Sequence, residues 1–310
     1  MRTVWLVLGG GSLASALALG CGSNASSKGG FDSPDGGADG ATAGGDDSGS
    51  LVGDDGGTFG DAGSSGDTGG GGPPVSLVYA QSADTLYRLD PTTKQVAVVG
   101  PFSGGCSSVI DIAIDSSSNG YVTTSGALYK VDLQTAACTH ISDGNYPNSL
   151  SFVPKGTLDP SVEALVGYFG SSYIRIDTGT GAVTNIGGLT GGYQSSGDIV
   201  SVINGGTFLT VNGTNGCSDC LLQIDPKTGN LVQNYGSVGH GQVFGLAFWA
   251  GTAYGFDNAG QVFAIGWQNG KLVTSNISIP NPPPGLSFWG AGSTTSAPPK
   301  DADGGGIPIQ

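Results

Sequence analysis

Three side chains in this sequence stand where their type and position could support chemistry. Asp111 lies directly before the short segment 112–114, Asp198 lies two residues before the similar segment 200–202, and His240 lies between two glycines. Two carboxylates that converge from separate segments can act as acid and base on a sugar or hold a cation, and a neutral imidazole can bind a ligand. The commoner role of such an aspartate is to cap a turn or to accept a hydrogen bond from a neighbouring backbone, and a lone histidine in a loop is usually solvated. We therefore treat all three as candidates and assign no catalytic residue from the sequence.

The charge of the chain excludes one large class of partner. The sequence has 24 Asp and Glu against 10 Lys and Arg, a net charge of −14. Nucleic-acid binding needs clustered basic residues that neutralise phosphates, and the sequence contains no such cluster. The Asp-rich runs at 32–35 and 301–304 lack the bidentate Glu of a calcium loop, so solvated linker is their expected role. We expect no metal and no cofactor in this protein.

The N-terminus has the features of an export signal. Arg2 precedes apolar stretches at 4–8 and 13–19, and small residues precede Cys21. The segment 18–21 resembles the lipobox of bacterial lipoproteins, which implies a diacylglycerol on Cys21 and a location in the outer membrane or at the cell surface. The alternative is ordinary cleavage after residue 18, which leaves Cys21 as an odd thiol. We expect a signal peptide at 1–20 and lipidation of Cys21.

Export implies an oxidising compartment, so the four remaining cysteines are expected to form disulfides. Three pairings are possible. We favour Cys106 with Cys138 and Cys217 with Cys220, because each pair then lies within one repeat. Redox or zinc chemistry at Cys217 and Cys220 is the weaker alternative, since no helical pattern follows the second cysteine and few other ligands remain.

Two segments of the chain are too poor in apolar residues to fold. Residues 21–74 are mainly Gly, Ser, Ala, Thr and Asp, and residues 297–310 have the same character. Such sequences cannot bury enough apolar surface to offset their ordering entropy. We predict a disordered acidic linker at 21–74, a folded domain at 75–296 and a disordered tail at 297–310.

One strand-forming pattern recurs five times, and four copies end in Asp. The copies occupy residues 86–90, 128–132, 173–177, 221–225 and 262–266. Their last residues are 42, 45, 48 and 41 apart, close to the repeat length of propeller blades. The turns that begin at Asp90, Asp177 and Asp225 place Asp first, and two of them place Pro second, as a type I turn prefers. The four aspartates are therefore predicted to be turn residues rather than site residues.

A second pattern, apolar–small–apolar, predicts the innermost strand of each repeat. It occurs at 112–114, 150–152, 200–202, 246–248 and 286–288. Middle and outer strands fit between these patterns, which makes four strands per repeat. The folded part opens with a middle strand at 77–80 and closes with a lone inner strand at 286–288, so one blade must be completed by both chain ends. The sequence therefore predicts an all-β, five-bladed β-propeller of four-stranded antiparallel blades, with the C-terminal inner strand closing the ring.

The repeated element resembles that of the bacterial YVTN, NHL and quinoprotein-like propeller groups over roughly residues 76–291. The resemblance implies the architecture and no particular activity, because these groups include binding domains, scaffolds and enzymes. Function is expected at the channel mouth where the inner strands begin, near Asn148, Tyr193 and Trp289. Trp249 and Trp289 follow the same position of two inner-strand patterns, so we expect both to pack in the core rather than to form a sugar platform.

The function that these features favour is a non-enzymatic ligand- or protein-binding module on a lipid-anchored stalk. The alternative is a hydrolase or lyase acting on carbohydrates or lactones with carboxylates at the channel mouth. Expected partners are the membrane, through Cys21, and a protein or glycan ligand; we expect a monomer and no nucleic acid.

Overall fold

The computed structural model describes residues 78–214, 216–268 and 271–297. In this part of the chain all regular structure is antiparallel β-strand, and no helix is long and apolar enough to cross a membrane. The strands are β1 (Val78–Gln81), β2 (Thr85–Leu89), β3 (Val96–Pro101), β4 (Asp111–Ile114), β5 (Gly120–Thr123), β6 (Ala127–Val131), β7 (Cys138–Asp143), β8 (Leu150–Val153), β9 (Ala164–Phe169), β10 (Ser172–Ile176), β11 (Val183–Gly188), β12 (Gln194–Ser201), β13 (Thr207–Asn212), β14 (Cys220–Ile224), β15 (Leu231–Ser237), β16 (Val243–Trp249), β17 (Thr252–Asp257), β18 (Val262–Gln268), β19 (Lys271–Ile277) and β20 (Gly290–Ser293).

These strands form five four-stranded sheets, which are the blades of a propeller. Blade 1 is β4–β7, blade 2 is β8–β11, blade 3 is β12–β15 and blade 4 is β16–β19, each in sequence order from the inside outward. Blade 5 has the order β20-β1-β2-β3, so its innermost strand comes from the C-terminal end of the domain. The inner strands contact one another in turn around the ring, and β20 contacts β4. The predicted five-bladed ring, closed by its C-terminal strand, is confirmed.

The closing strand lies four residues later than the sequence pattern predicted. β20 is Gly290–Ser293 and pairs with β1, whereas 286–288 is not a strand. Phe288 is nevertheless fully buried against blade 5, which explains why its pattern resembled an inner strand. The space next to the axis accepts almost no side chain here: a Cβ on Gly292 would lie 2.7 Å from the carbonyl oxygen of Ile112. Gly-Ala-Gly-Ser fits this space, and Leu-Ser-Phe does not.

The repeated pattern forms the third strand of each blade, and alternation places its apolar residues in the core. In β2, Tyr87 and Leu89 are buried while Arg88 between them is exposed, as a period of two requires. The aspartates that end four of these segments accept hydrogen bonds from backbone N–H groups two or three residues later; they are Asp90, Asp132, Asp177 and Asp225. These bonds help to hold the pKa values of Asp90, Asp132 and Asp177 below the ordinary range of the residue. Their assignment to turns is confirmed.

The same turns also connect blades. The hydroxyl of Tyr168 in blade 2 donates to the carbonyl of Gly229 in the β14–β15 turn at 2.8 Å, and the Tyr173 hydroxyl donates to the carbonyl of Pro226 at 3.0 Å. Tyr146 makes the equivalent bond to Gly181 in the β10–β11 turn at 2.8 Å. Each of these turns therefore packs against the preceding blade or the loop that leaves it, and its sequence is constrained by more than its own backbone conformation.

Both favoured disulfides are present. Cys106, in the loop between blades 5 and 1, is bonded to Cys138 at the start of β7, with a Cα–Cα distance of 6.0 Å. Cys217 and Cys220 form a local clip before β14, with a Cα–Cα distance of 5.7 Å. The first bond therefore fastens an interblade loop to the outer strand of blade 1.

The signal peptide, Cys21, the linker at 21–74 and residues 298–310 of the tail lie outside the described residues. Ala297, the first residue of the expected tail, is buried in the cluster of apolar residues around β16.

Candidate functional site at the channel mouth

Five residues occupy one equivalent position at the start of the five inner strands. Each directly precedes one of five inner-strand residues that hold the same register on the middle strand of their blade: Ile112, Leu150, Ile199, Leu246 and Ala291. In blade order the five preceding residues are Asp111, Ser149, Asp198, Gly245 and Gly290. We call this set the axial ring, because it surrounds the channel where the inner strands converge.

The two aspartates of the axial ring make the same hydrogen bonds in blades 1 and 3. The Oδ1 of Asp111 accepts from the N–H of Ile112 at 2.8 Å, and its Oδ2 accepts from the N–H of Leu150, in the next blade, at 2.7 Å. The Oδ1 of Asp198 accepts from Ile199 at 2.7 Å, and its Oδ2 accepts from Leu246, again in the next blade, at 2.7 Å. Each carboxylate thus connects two neighbouring blades, which is the bond to a neighbouring backbone that the sequence analysis favoured.

These matching bonds also correct the spacing of the sequence patterns. Asp198 seemed to lie one residue out of register with Asp111, because the pattern was placed at 200–202. β12 pairs with β13 through a bulge between Ser195 and Ile199, and the residue equivalent to Ile112 is Ile199. The two aspartates are therefore in register around the ring.

The carboxyl groups of Asp111 and Asp198 converge although their blades are not adjacent. Both residues are fully buried. Burial raises the pKa of both carboxyls, and the nearby charge of Asp198 raises the pKa of Asp111 further. The backbone N–H donors act in the opposite direction on both groups but only partly offset this effect. In the described part of the chain, none of the ion pairs formed by Lys, Arg or His involves either aspartate.

A pocket of about 280 Å³ opens at the mouth above the axial ring. Four of its five lining residues directly precede axial-ring residues: Ile110, Asn148, Phe244 and Trp289; the fifth is Asn258, which follows β17. Asn148 is exposed and Trp289 is 39% exposed, so an indole face and two amides are available to a ligand. The pocket suits a small molecule with an apolar face and several hydroxyl or amide groups.

Only part of this pocket could be predicted from the sequence. Asn148 and Trp289 were expected near the mouth, but the repeated pattern predicted that Trp289 packs in the core, and the structure corrects this. Because β20 begins at Gly290, Trp289 precedes the strand and faces the pocket, whereas Trp249 lies at the far end of β16 and packs against the core of blade 5. Ile110 and Phe244 could have been found from the register of the inner strands.

His240 has partners that the sequence did not indicate. Its Nδ1 lies 3.5 Å from Oδ2 of Asp257, and its ring stacks on Phe263 with centroids 3.7 Å apart and planes within 5°. The side chain is 13% exposed. The expectation of a solvated loop histidine is therefore wrong, because the loop folds back over blade 4. His240 does not line the mouth pocket, nor does Tyr193, whose hydroxyl accepts from Asn234 at 2.9 Å.

The opposite end of the inner strands carries a more polar pocket of about 410 Å³. Asp115, Lys155 and Glu163 are among its lining residues. The Glu163 carboxylate accepts from the N–H of Ser116 at 2.7 Å and from the hydroxyl of Thr295. The only glutamate of the chain therefore joins blades 1 and 2 to the segment that follows the closing strand, a structural role.

Comparisons with known proteins assign no family to the chain. No protein-family model and no curated protein matches the chain. Among solved structures, the chain is similar to hydrazine synthase of Kuenenia stuttgartiensis (TM-score 0.39, 14% identity, 66% of this chain and 63% of that one). It is also similar to a protein of unknown function from Bacteroides caccae (TM-score 0.37, 11% identity, 66% and 73%) and to the β-propeller domain of Myceliophteria thermophila Cps50 (Swd1) (TM-score 0.39, 10% identity, 62% of each chain). The chain thus spans less than two thirds of the hydrazine synthase chain, and similarity at this level assigns no activity.

Proposed function

We propose that this protein is a non-enzymatic binding module that takes a small, neutral, hydroxyl-rich ligand, such as a glycan end, in the mouth pocket. The observation that carries the proposal is the exposed indole of Trp289 beside Asn148 and Asn258. A sugar ring offers an apolar face for stacking on an indole and hydroxyls for amide hydrogen bonds. The pocket contains no charged side chain among its described lining residues, which favours a neutral ligand.

Binding is favoured over hydrolysis because the carboxylates nearest the mouth are committed to the fold. Asp111 and Asp198 are fully buried, and each of their four oxygens accepts a backbone N–H. A general acid has to come within hydrogen-bond reach of its substrate. The alternative hydrolase or lyase function is supported by the convergence and raised pKa values of the pair. It would require the axial ring to open towards the mouth pocket.

A glycan-array screen of the purified protein, followed by calorimetric titration of the hits, tests the binding proposal. Trp289→Ala should weaken binding of a hit by roughly 1 to 3 kcal/mol, about 5- to 150-fold, because the aromatic anchor is lost. Trp289→Phe should retain part of the affinity. Trp249→Phe is the matched control, since that indole lies outside the pocket, and it should leave the dissociation constant unchanged.

Two outcomes would contradict the proposal. Binding that is unaffected by Trp289→Ala would place the ligand elsewhere on the protein. Cleavage of a bound glycan or lactone that Asp198→Asn abolishes would establish the enzymatic alternative.

We further propose that Cys21 carries a diacylglycerol and that the linker displays the propeller at a membrane surface. The lipobox-like segment before Cys21 and the apolar stretch preceding it support this assignment. Labelling of cells with a radioactive fatty acid tests it: the wild type should be labelled and Cys21→Ser should not. Equal labelling of both would remove the lipid anchor.

A further inference from the structure

The axial ring contains one polar side chain whose bonding is incomplete. Ser149 is fully buried, and its Oγ has no hydrogen-bond partner among the described residues. It lies between the two aspartates in the order of the ring, and the N–H of the next residue, Leu150, donates to Asp111. Leaving a buried hydroxyl unpaired costs about 1–3 kcal/mol. A buried hydroxyl at this position therefore indicates that a group outside the protein chain binds it in the axial space.

The two aspartates also lack a compensating positive charge from the described residues in the same space. Two ionised carboxylates that are buried together without a cation repel each other and are poorly solvated. Asp111 reaches towards blade 5 closely enough that a Cβ on Gly290 would lie 2.2 Å from its Oδ1. Asp198 also interacts with the backbone N–H of Ala291 in that blade. Both carboxyls thus lie at the axis rather than at the periphery. Ser149 holds the same register position, so its hydroxyl belongs at the axis too.

The carboxyl and hydroxyl oxygens of this cluster are ligands that suit one class of metal ion. Asp111 accepts two backbone N–H bonds, and Asp198 accepts two and interacts with a third from Ala291. The two carboxyls also lie within hydrogen-bond reach of each other, so a cation between them would replace the proton that such a pair otherwise shares. Oxygen ligands prefer hard cations, and two carboxylates balance a charge of two. Zinc sites are usually completed by nitrogen or sulfur ligands, which this cluster lacks. No group of three or more His, Cys, Asp or Glu side chains among the described residues could hold a metal ion of any kind, so an ion here would take most of its ligands from other oxygens. Calcium tolerates irregular geometry and completes its shell with carbonyl oxygens or water.

We propose that Asp111, Asp198 and Ser149 form an axial site for a hard divalent cation of the Ca²⁺ class. The ion would tie blades 1, 2 and 3 together at the channel and would satisfy the hydroxyl and both carboxylates at once. This role is independent of the ligand in the mouth pocket.

The purified full-length chain, treated with a chelator and dialysed, tests the proposal by calorimetric titration with CaCl₂ and by thermal unfolding at physiological salt. Ca²⁺ should bind and raise the melting temperature by the mass action expected of a native-state ligand. Ser149→Ala should weaken the affinity by about tenfold without lowering the melting temperature of the chelated protein, because it removes only an unpaired hydroxyl. Asp198→Asn should abolish the calcium-dependent shift. Asp143→Asn is the control for a non-specific effect of removing one carboxylate, since that side chain is 89% exposed. It should behave as the wild type.

Two outcomes decide against the site. If Ca²⁺ and Mg²⁺ both leave the melting temperature of the chelated wild type unchanged, the aspartates share a proton instead. If Ca²⁺ binds equally to the wild type, Ser149→Ala and Asp198→Asn, it binds elsewhere, for instance in the Asp-rich segments. An effect of Mg²⁺ that is lost in the same variants supports the same class of site.

Discussion

At the scale of single residues, the axial ring shows how one position serves different roles in different blades. Asp111 and Asp198 each connect their own inner strand to the next one by paired hydrogen bonds. Gly290, at the same position in blade 5, has no side chain because the Asp111 carboxylate occupies that space. The residue types in the ring are therefore complementary to one another rather than repeated.

The raised pKa values of Asp111 and Asp198 predict how stability depends on pH. Below the unfolded-state pKa of about 3.9 both carboxyls are protonated in both states. As pH rises above it, the unfolded chain loses these protons first and the folded chain retains them, so the free energy of unfolding falls until pH passes the folded-state pKa. Urea titrations in the presence of a chelator should show this decline from about pH 4, near the unfolded-state pKa, to about pH 8.

Asp198→Asn should reduce the pH slope, because one of the two carboxyls with a raised pKa is removed and the remaining carboxyl loses its charged neighbour. The turn aspartates work in the opposite direction at lower pH, since the pKa values of Asp90 and Asp132 are lowered, and they are common to both proteins. An equal slope in the wild type and in Asp198→Asn would contradict the assignment of the pH dependence to this pair.

At the scale of elements, the available space limits which residues can form the inner strands. Alternation and turn residues determine the strands further out. β20 is Gly-Ala-Gly-Ser because carbonyl and carboxylate oxygens of blade 1 approach it closely. The Ser293 hydroxyl accepts from the N–H of Phe248, in the inner strand of blade 4, at 2.9 Å. The closing strand is therefore fixed on both sides, to β1 through the sheet and to blade 4 through a side chain.

Gly290→Ala tests the crowding at the axis. The added methyl group would lie 2.2 Å from Oδ1 of Asp111, so the carboxylate or the strand has to move. We expect a loss of about 1–3 kcal/mol in the free energy of unfolding, measured by urea denaturation. Gly126→Ala is the control, because a Cβ added there would meet nothing within 4 Å. It should be neutral or stabilising by up to about 1 kcal/mol. Equal effects of the two substitutions would show that the axis is not close-packed.

The strands that the sequence predicted well are those with a local signal. Period-two alternation and the Asp-initiated turns located β2, β6, β10, β14 and β18 within about two residues, the usual limit for boundaries. β20 was misplaced because the burial of Phe288 imitates a strand and because a Gly-Ala-Gly-Ser segment has no strand propensity of its own. The wrong prediction that Trp289 packs in the core followed from this misplacement of the strand. Asp257 and Phe263, the partners of His240, could not be predicted because the contact depends on how a loop folds over its blade.

At the scale of the whole molecule, the ring is held by contacts that cross blade boundaries. Tyrosine hydroxyls bond to the turns of the following blade, Glu163 bonds to the C-terminal segment, and each axial aspartate accepts a backbone N–H from the next blade. The sequence predicted the closure from the phase of its repeats, because a chain that begins with a middle strand and ends with an inner one has an incomplete blade at each end. The two pockets lie at opposite ends of the inner strands, and the mouth pocket is lined by residues from blades 1, 2, 4 and 5.

The most direct test of the closed ring is a pair of C-terminal truncations compared by size-exclusion chromatography and thermal unfolding. A chain that ends at residue 297 retains β20 and should elute and unfold as the full-length protein does. A chain that ends at residue 289 lacks β20, exposes the edge of β1 and opens the ring, so it should aggregate or unfold at a clearly lower temperature. A chain ending at residue 289 that is monomeric and as stable as the full-length protein would contradict closure by the β20–β1 pairing.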